Sequence, residues 1–193
     1  MKTIDRIYHA KVEIKKSNFL AFLCPFDNFK ILLKELKNDH PKAVHFVYAY
    51  RYLNEFNQIV EDKSDDGEPK GSSAMPCLNV LRGVLLINSA IIVVRYFGGI
   101  KLGVGGLVRA YSEATNLAIL NAQLIEFELK KVTHIEIPFA LYARFEYFLN
   151  KNNIIFEKEF THQVALKIWL NEKEEKEFKT FMKEYEFRDI ILK

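Results

Sequence analysis

The chain has 193 residues, of which 49% are hydrophobic and 13% aromatic, and this apolar content excludes a predominantly disordered protein. The formal net charge of +3 permits binding to nucleic acid but does not require it. We expect a cytoplasmic protein without a membrane segment, because residues 1–6 lack the apolar run of a signal peptide and the uncharged stretch 83–94 is shorter than the roughly 20 residues of a membrane span.

The first part of the chain is predicted to contain paired strands and three helices. Alternating residues predict a hairpin with strands over 11–15 and 19–23 and a turn at 16–18. Apolar residues at helical spacing predict a helix over 29–36, capped by Asp27 or Asn28. The further elements are, in chain order, a strand over 45–52 with a partner over 55–60, a loop over 62–71, a helix over 74–81, a buried strand over 90–94, a loop over 98–106 and a helix over 107–122.

Several side chains of this first part are expected in the core. Cys24 and Cys77 lie in apolar stretches without metal-ligand spacing, and we expect both to be buried, reduced thiols. Pro76 falls in the first turn of its helix, where the missing N–H costs little. The predicted inner face of the last helix consists of Leu107, Ala110, Tyr111, Ala114 and Ala118.

The last third of the chain has the order β-α-β-β-α-β, which predicts a ferredoxin-like arrangement. Its elements are strands over 133–137, 154–160, 163–170 and 188–192 and helices over 141–150 and 174–185. Alternation places one set of residues on the face covered by helices, namely Val164, Leu166, Ile168 and Leu170. Lys167 and Trp169 fall on the opposite face, near His134. The prediction is therefore an α+β fold with two domains, 1–127 and 128–193.

The loop 64–72 places three carboxylates within four residues, at Asp65, Asp66 and Glu68. Such a cluster could hold a hard cation such as Mg²⁺. Asp-Asp-Gly and Glu-Pro are equally ordinary turn sequences whose acids face water. Both interpretations stay open, although the spacing excludes an EF-hand. His45, which begins a strand, is either a hydrogen-bonded structural residue or a candidate base.

The strongest local signal is the segment 95–109, in which a buried strand leads through five glycines into a helix. Glycines permit close approach of the backbone, and free amides at a helix N-terminus attract anions. The segment has no Gly-Lys-Ser/Thr, and Val108 stands where a dinucleotide motif has its third glycine. It is either a tightly packed connection or a cradle for an anion or an RNA phosphate. The cradle would consist of Arg95, Gly98, Gly99, Lys101, Gly103, Gly105, Gly106 and Arg109.

Two long blocks, 65–71 and 93–111, resemble the IMPACT family in its bacterial, YigZ-type two-domain branch. Lys16-Ser17 with Phe19, and His45 before Ala49-Tyr50, also match, so the resemblance covers essentially the whole chain. The chain departs from the family pattern at Val47 and at residues 72–74, where it has Ser-Ser-Ala. Cysteine is common in the family at position 47, and because this chain has valine there, no catalytic cysteine is expected at that site.

The resemblance implies a first domain similar to the second domain of ribosomal protein S5 and a second similar to the last domain of elongation factor G. Both similarities point to RNA and the ribosome. Eukaryotic relatives regulate translation by binding a partner of a stress-responsive kinase, but they use an additional N-terminal domain, so that activity is not transferred to this chain.

The sequence favours a non-catalytic regulatory protein, linked to translation, that binds RNA or the ribosome through the glycine-rich segment without a cofactor or a metal. The alternative is an enzyme acting on a phosphorylated small molecule or nucleotide, with a metal held by Asp65, Asp66 and Glu68 and with His45 as the base. A third interpretation is an adaptor that binds a protein through the sheet face around Trp169. No catalytic residue is assigned.

Overall fold

The computed structural model describes residues 1–185 and the backbone of residues 191–192. The chain divides into two compact units, Met1–Phe127 and Glu128–Lys193, and each mixes helices with antiparallel strands, so the predicted α+β class is confirmed. Within the described residues, no helix combines the length and the apolar character needed to cross a membrane.

The first unit is built on a five-stranded antiparallel sheet. The unit as a whole contains the strands β1 (Lys2–Thr3), β2 (Tyr8–Ile14), β3 (Ser17–Pro25), β4 (His45–Leu53), β5 (Ile59–Ser64), β6 (Ser89–Tyr96) and β7 (Ile125–Glu126). Its helices are α1 (Phe29–Asp39), α2 (Ala74–Gly83) and α3 (Gly103–Leu120). The large sheet has the order β2-β3-β6-β4-β5, and β1 pairs with β7. Helices α2 and α3 cover one face of the large sheet, and α1 packs on the other.

The core of this unit has the predicted composition. The expected inner face of α3 is buried at all five positions, and Pro76 lies in the first turn of α2. Cys24 and Cys77 are free and buried, and burial raises the pKa of each thiol to about 12, which keeps both thiols protonated and unreactive.

The first hairpin turns one residue earlier than predicted. Ile14 pairs with Ser17, so the turn consists of Lys15 and Lys16, and the predicted turn residues Ser17 and Asn18 belong to β3. Lys15 and Lys16 have φ values of 47° and 67°, as a two-residue hairpin turn of type I′ requires. Residues other than Gly, Asn and Asp rarely adopt this conformation, and for that reason the sequence did not indicate the turn.

Two further predictions about local structure are wrong. Asn28 occupies the position before α1, but neither it nor Asp27 caps the helix through its side chain, because a 3₁₀ turn over Phe26–Asn28 runs directly into the helix. The partner of β4 begins at Ile59 instead of residue 55, because the carbonyl oxygen of the Asn54 side chain accepts hydrogen bonds from the amides of Phe56 and Gln58 and closes a turn there.

The last helix of the first unit begins at Gly103, four residues before the predicted start. Gly105 and Gly106 therefore belong to its first turn, not to a loop. Glycine lowers helix stability by only about 1 kcal/mol per residue relative to alanine, and the packing of the buried face that begins at Leu107 outweighs this cost.

The second unit contains β8 (Lys131–Ile137), α4 (Phe139–Lys151), β9 (Ile155–Phe160), β10 (Val164–Leu170), α5 (Glu172–Lys183) and β11 (Ile191–Leu192). Its sheet is antiparallel with the order β11-β8-β10-β9, and the predicted β-α-β-β-α-β order is confirmed. The predicted inner residues of β10 are all buried. Helix α5 begins two residues earlier than predicted because Asn171 and Glu174 form a capping box. Part of the predicted last strand, residues 188–190, lies outside the described residues.

Candidate functional site

The carboxylate of Asp65 is a cap for helix α2. It accepts hydrogen bonds from the amide of Gly71 at 2.8 Å, from the amide of Ala74 at 2.8 Å and from the hydroxyl of Ser73 at 2.5 Å. Burial opposes ionisation of Asp65, but these hydrogen bonds together outweigh it and lower the pKa of Asp65 below its ordinary value. Asp65 is thus a structural residue that fixes the start of α2.

Asp66 ties the same loop to the beginning of β4. Its carboxylate accepts a hydrogen bond from the amide of Phe46 at 2.6 Å. The Nδ1 atom of His45 lies 2.7 Å from the backbone oxygen of Asp66, and since a carbonyl can only accept, Nδ1 carries the proton. The other ring nitrogen of His45, Nε2, lies 3.9 Å from the carboxylate of Glu68.

Glu68 connects the loop 64–72, called the acidic loop below, to β6, the strand that precedes the glycine-rich residues 98–106, called the glycine segment below. Its carboxylate is buried, pairs with Arg95 at the end of β6 and accepts a hydrogen bond from the hydroxyl of Tyr111 on α3 at 2.8 Å. Burial, followed by the negative charge of Glu68, raises the pKa of Tyr111 far above its usual value, so this hydroxyl stays a donor. A loop, a strand and a helix are held together by one carboxylate.

The three acids of the loop do not converge on one point. The carboxylates of Asp65, Asp66 and Glu68 each have separate protein partners. Among the residues that the structure describes, no group of three or more His, Cys, Asp or Glu side chains is arranged to hold a metal ion. The geometry therefore gives no support to the arrangement in which these acids share a metal beside His45.

Arg95 is buried, with 5% of its surface exposed, and its guanidinium lies over the rings of Phe19 and Phe97 at 5.4 and 5.7 Å from their centroids. The sequence assigned Arg95 to the anion cradle as a positive charge. Its burial and its ion pair with Glu68 give it a different role, in which it joins the end of β6 to the loop 64–72.

Gly98 lies directly against the turn between β2 and β3. A Cβ atom at this position would lie well under 3.0 Å from the backbone of Lys16 and Ser17, so no other residue fits without moving the chain. The amide of Gly98 donates a hydrogen bond to the hydroxyl of Ser17 at 3.0 Å. This contact places the backbone of the turn residue Lys16 against Gly98, and Lys15 precedes it in the same turn.

Outside α3 itself, the amides of residues 99–105 have no hydrogen-bond acceptor among the described residues, and the first amides of a helix have no acceptor one turn before them. Most residues of this stretch are exposed. Gly99 and Gly103 have φ values of +85° and +71°, which favour glycine. Lys101 and Arg109 are exposed, and neither has an ion-pair partner within the described part of the chain. Amides without an acceptor and exposed cations therefore occur within one short stretch of chain, residues 99–109, which includes the first two turns of α3.

Three residues of this region have roles that the sequence pattern does not indicate. The pattern predicts Lys15 and Lys16 only as hairpin residues and the buried Tyr111 only as a core residue. Lys16 and Tyr111 lie in stretches that match the family, but their contacts join residues far apart in the chain.

In the second unit, Lys167 is paired with His134 in register, and its ammonium lies 4.7 Å from the ring centroid of Trp169. Trp169 stands in register between Val132 and Ile155, which are 45% and 60% exposed. These side chains lie on the sheet face that the sequence suggested for a protein partner.

These observations define a class of protein with two α+β units, in which a buried carboxylate holds an acidic loop against a strand–glycine–helix segment. A family model described as the Impact N-terminal domain matches residues 15–119, and a second, described as a domain of unknown function (DUF1949), matches residues 135–184. The chain belongs to the IMPACT family, as its motifs predict, and its similarity to bacterial members extends over both units.

Two relatives and one solved structure show how far the similarity extends. IMPACT family member YvyE of Bacillus subtilis is 28% identical over 94% of this chain and 85% of its own length. An IMPACT family member of Haemophilus influenzae is 39% identical over 61% of this chain and 57% of its own length. A crystal structure of a hypothetical protein matches 99% of this chain and 95% of its own, with a TM-score of 0.69 and 25% sequence identity.

Proposed function

We propose that this protein is a non-catalytic regulatory protein that binds RNA through the surface at the beginning of α3, which consists of Lys15, Lys16, residues 99–105 and Arg109. The observation that carries the proposal is the coincidence of free backbone amides with exposed, unpaired cations at one place. Amides at a helix N-terminus favour a phosphate oxygen, and lysine and arginine side chains add charge attraction.

Charge is distributed in agreement with this proposal. Glu68 neutralises the buried Arg95, so Arg95 adds little net charge to the surface. The exposed cations therefore supply the positive potential. Because they would contact phosphates and not base edges, the proposal implies binding with little dependence on base sequence.

The link to translation rests on the family. The implied similarity of the two domains of this chain to parts of ribosomal protein S5 and of elongation factor G supports the ribosome as the site at which the protein binds RNA.

The salt dependence of RNA binding tests the proposal. We expect the Lys101→Ala/Arg109→Ala variant to bind a fluorescent oligouridine more weakly and to lower the slope of log K against log[salt] by about 1.4, since each phosphate contact to a single strand contributes about 0.7. Lys30→Ala/Lys34→Ala is the matched control, because it removes two exposed lysines of α1, on the other face of the sheet. Equal loss in both variants, or no binding by the unmodified protein, would contradict the proposal.

A further inference from the structure

A row of aromatic side chains follows β4 on the face opposite α2 and α3. Phe46, Tyr48, Tyr50 and Tyr52 occupy alternate positions of the strand, and all four are half-buried. The rings of Tyr48 and Tyr50 are nearly parallel, with centroids 6.2 Å apart, and Phe26 stacks on Tyr52 at 4.0 Å. Helix α1 lies over part of this row: the ring centroid of Phe29 is 5.0 Å from that of Tyr48 and 5.2 Å from that of Tyr50, and the ammonium of Lys37 lies 5.8 Å from the ring centroid of Phe46. All four side chains of the row nevertheless keep part of their surface exposed.

Next to this row lies an open sheet edge. Strand β5 is the last strand of the five-stranded sheet, and β4 is its one neighbour there. Alternate residues of such an edge strand direct their amide and carbonyl groups away from the sheet. Within the described residues, no backbone group from 59 to 64 bonds to anything beyond β4.

Carboxylates lie along the row and the edge, where the cations are Lys63 of β5 and Lys37, whose ammonium lies over Phe46. Asp62 is opposite Tyr50 in register and accepts a hydrogen bond from its hydroxyl at 3.3 Å. Burial, and then the negative charge of Asp62, raises the pKa of Tyr48 and of Tyr50, and Asp66 adds to the shift at Tyr48. At the Tyr52 end, Asp27 and Glu55 line a depression of about 560 Å³ together with Phe26 and Tyr52.

Aromatic rings flanked by carboxylates favour cations, because the ring face and the carboxylate both attract a guanidinium or ammonium group. An open strand edge favours an extended backbone, which it binds through main-chain hydrogen bonds. We infer that β5 and the row Phe46, Tyr48, Tyr50 and Tyr52 form a docking site for an extended basic segment of another protein, which adds a strand to β5 and directs alternate lysine or arginine side chains across Asp62 toward the tyrosines.

The charges of β5 argue against two other occupants. A second copy of β5, paired antiparallel in the register that places Glu61 opposite Asp62, would bring like charges to face each other across the strands, which is destabilising. Asp62 and Asp66 would likewise repel the phosphates of RNA, which the proposed function assigns to the surface at the beginning of α3.

Fluorescence anisotropy with a short labelled peptide of alternating arginine and valine tests this inference on the full chain. Alternation places every arginine on one face of an added strand. We expect binding within about 1 mM peptide, and a much weaker signal from the same peptide with glutamate for arginine. Asp62→Asn should weaken binding about threefold, and Asp62→Asn/Tyr50→Leu about tenfold. A proline at a central valine should also weaken binding, because it removes a main-chain donor.

Matched variants separate this site from other surfaces. Asp5→Asn removes an exposed carboxylate elsewhere in the first unit, and Tyr147→Leu removes a tyrosine of α4 that is 67% exposed. Both should leave peptide affinity unchanged, as should Lys101→Ala/Arg109→Ala, so that failure of this inference is distinguishable from failure of the proposed function. Equal binding of the arginine and glutamate peptides, absence of binding, unchanged affinity in Asp62→Asn/Tyr50→Leu, or tighter binding of oligouridine at the same residues would each overturn the inference.

Discussion

The ion pair between Glu68 and Arg95 connects residues 27 positions apart and is buried on both sides, with 3% and 6% of the side-chain surfaces exposed. Such a pair need not add stability relative to well-packed apolar residues, but removing one partner leaves a charge in a medium that solvates it poorly. Glu68 also holds Tyr111, so the position of α3 relative to the acidic loop depends on the same carboxylate.

We therefore predict that Glu68→Gln lowers the free energy of unfolding by about 3–5 kcal/mol, because Arg95 loses its counter-charge. Urea unfolding followed by circular dichroism measures the change. The Glu68→Gln/Arg95→Met variant should lose clearly less than the sum of the two single variants, since neither unpaired charge remains. A loss below about 1 kcal/mol in Glu68→Gln would mean that the buried pair does not hold the loop.

Two glycines of the same segment should respond in opposite ways to alanine. Gly98→Ala should destabilise the protein by more than about 1 kcal/mol, because the new Cβ overlaps the backbone of Lys16 and Ser17. Gly105→Ala should be neutral or stabilising by up to about 1 kcal/mol, since that Cβ points into open space within a helix. Thermal unfolding of both variants measures this difference, and an equal loss in the two would contradict the close approach seen at Gly98.

At the scale of elements, helix α2 depends on a cap that comes from the loop before it. Asp65 precedes the helix by nine residues, so the cap is not the usual side chain beside the first turn, and the sequence pattern around 74–81 did not indicate it. Helix α3 also begins earlier than its pattern predicts, because the packing of its buried face outweighs the cost of its glycines. Periodicity identified both helices, whereas their first residues are set by tertiary contacts that a local pattern does not contain.

The pH dependence of stability should reveal the cap. Because the pKa of Asp65 is lower in the folded chain than its ordinary value of 3.8, its carboxylate stabilises the fold fully above that value and loses this contribution as the pH falls through the lowered pKa. Asp65→Asn should cost about 1 kcal/mol at pH 7, and its unfolding curve should approach that of the unmodified protein below about pH 4. A difference that is constant from pH 7 to 3 would exclude an ionised cap.

At the scale of the whole molecule, the sequence predicted the fold class and the order of the elements in both units. The apolar run in β6 and the alternation in β10 are sufficient to identify these strands. A strand buried on both faces has a continuous apolar run, and a strand buried on one face has a pattern of period two. The partners of Glu68 and the contact of Gly98 with the hairpin turn could not be predicted, since they arise where distant segments meet. Charge and spacing predict the cradle residues, but only the structure shows that Arg95 is buried and paired with Glu68, whereas Lys101 and Arg109 are exposed.

Amide chemical shifts test the central claim most directly, namely that a phosphate group docks on the free backbone amides at the beginning of α3. In ¹H–¹⁵N spectra of the full chain titrated with oligouridine, we predict the largest shifts at residues 99–105 and smaller shifts at Lys15 and Lys16, all reversed by added salt. The amide of Gly98, which already donates to Ser17, should move less. Saturable RNA binding that leaves the amides of residues 99–105 unshifted would contradict the account.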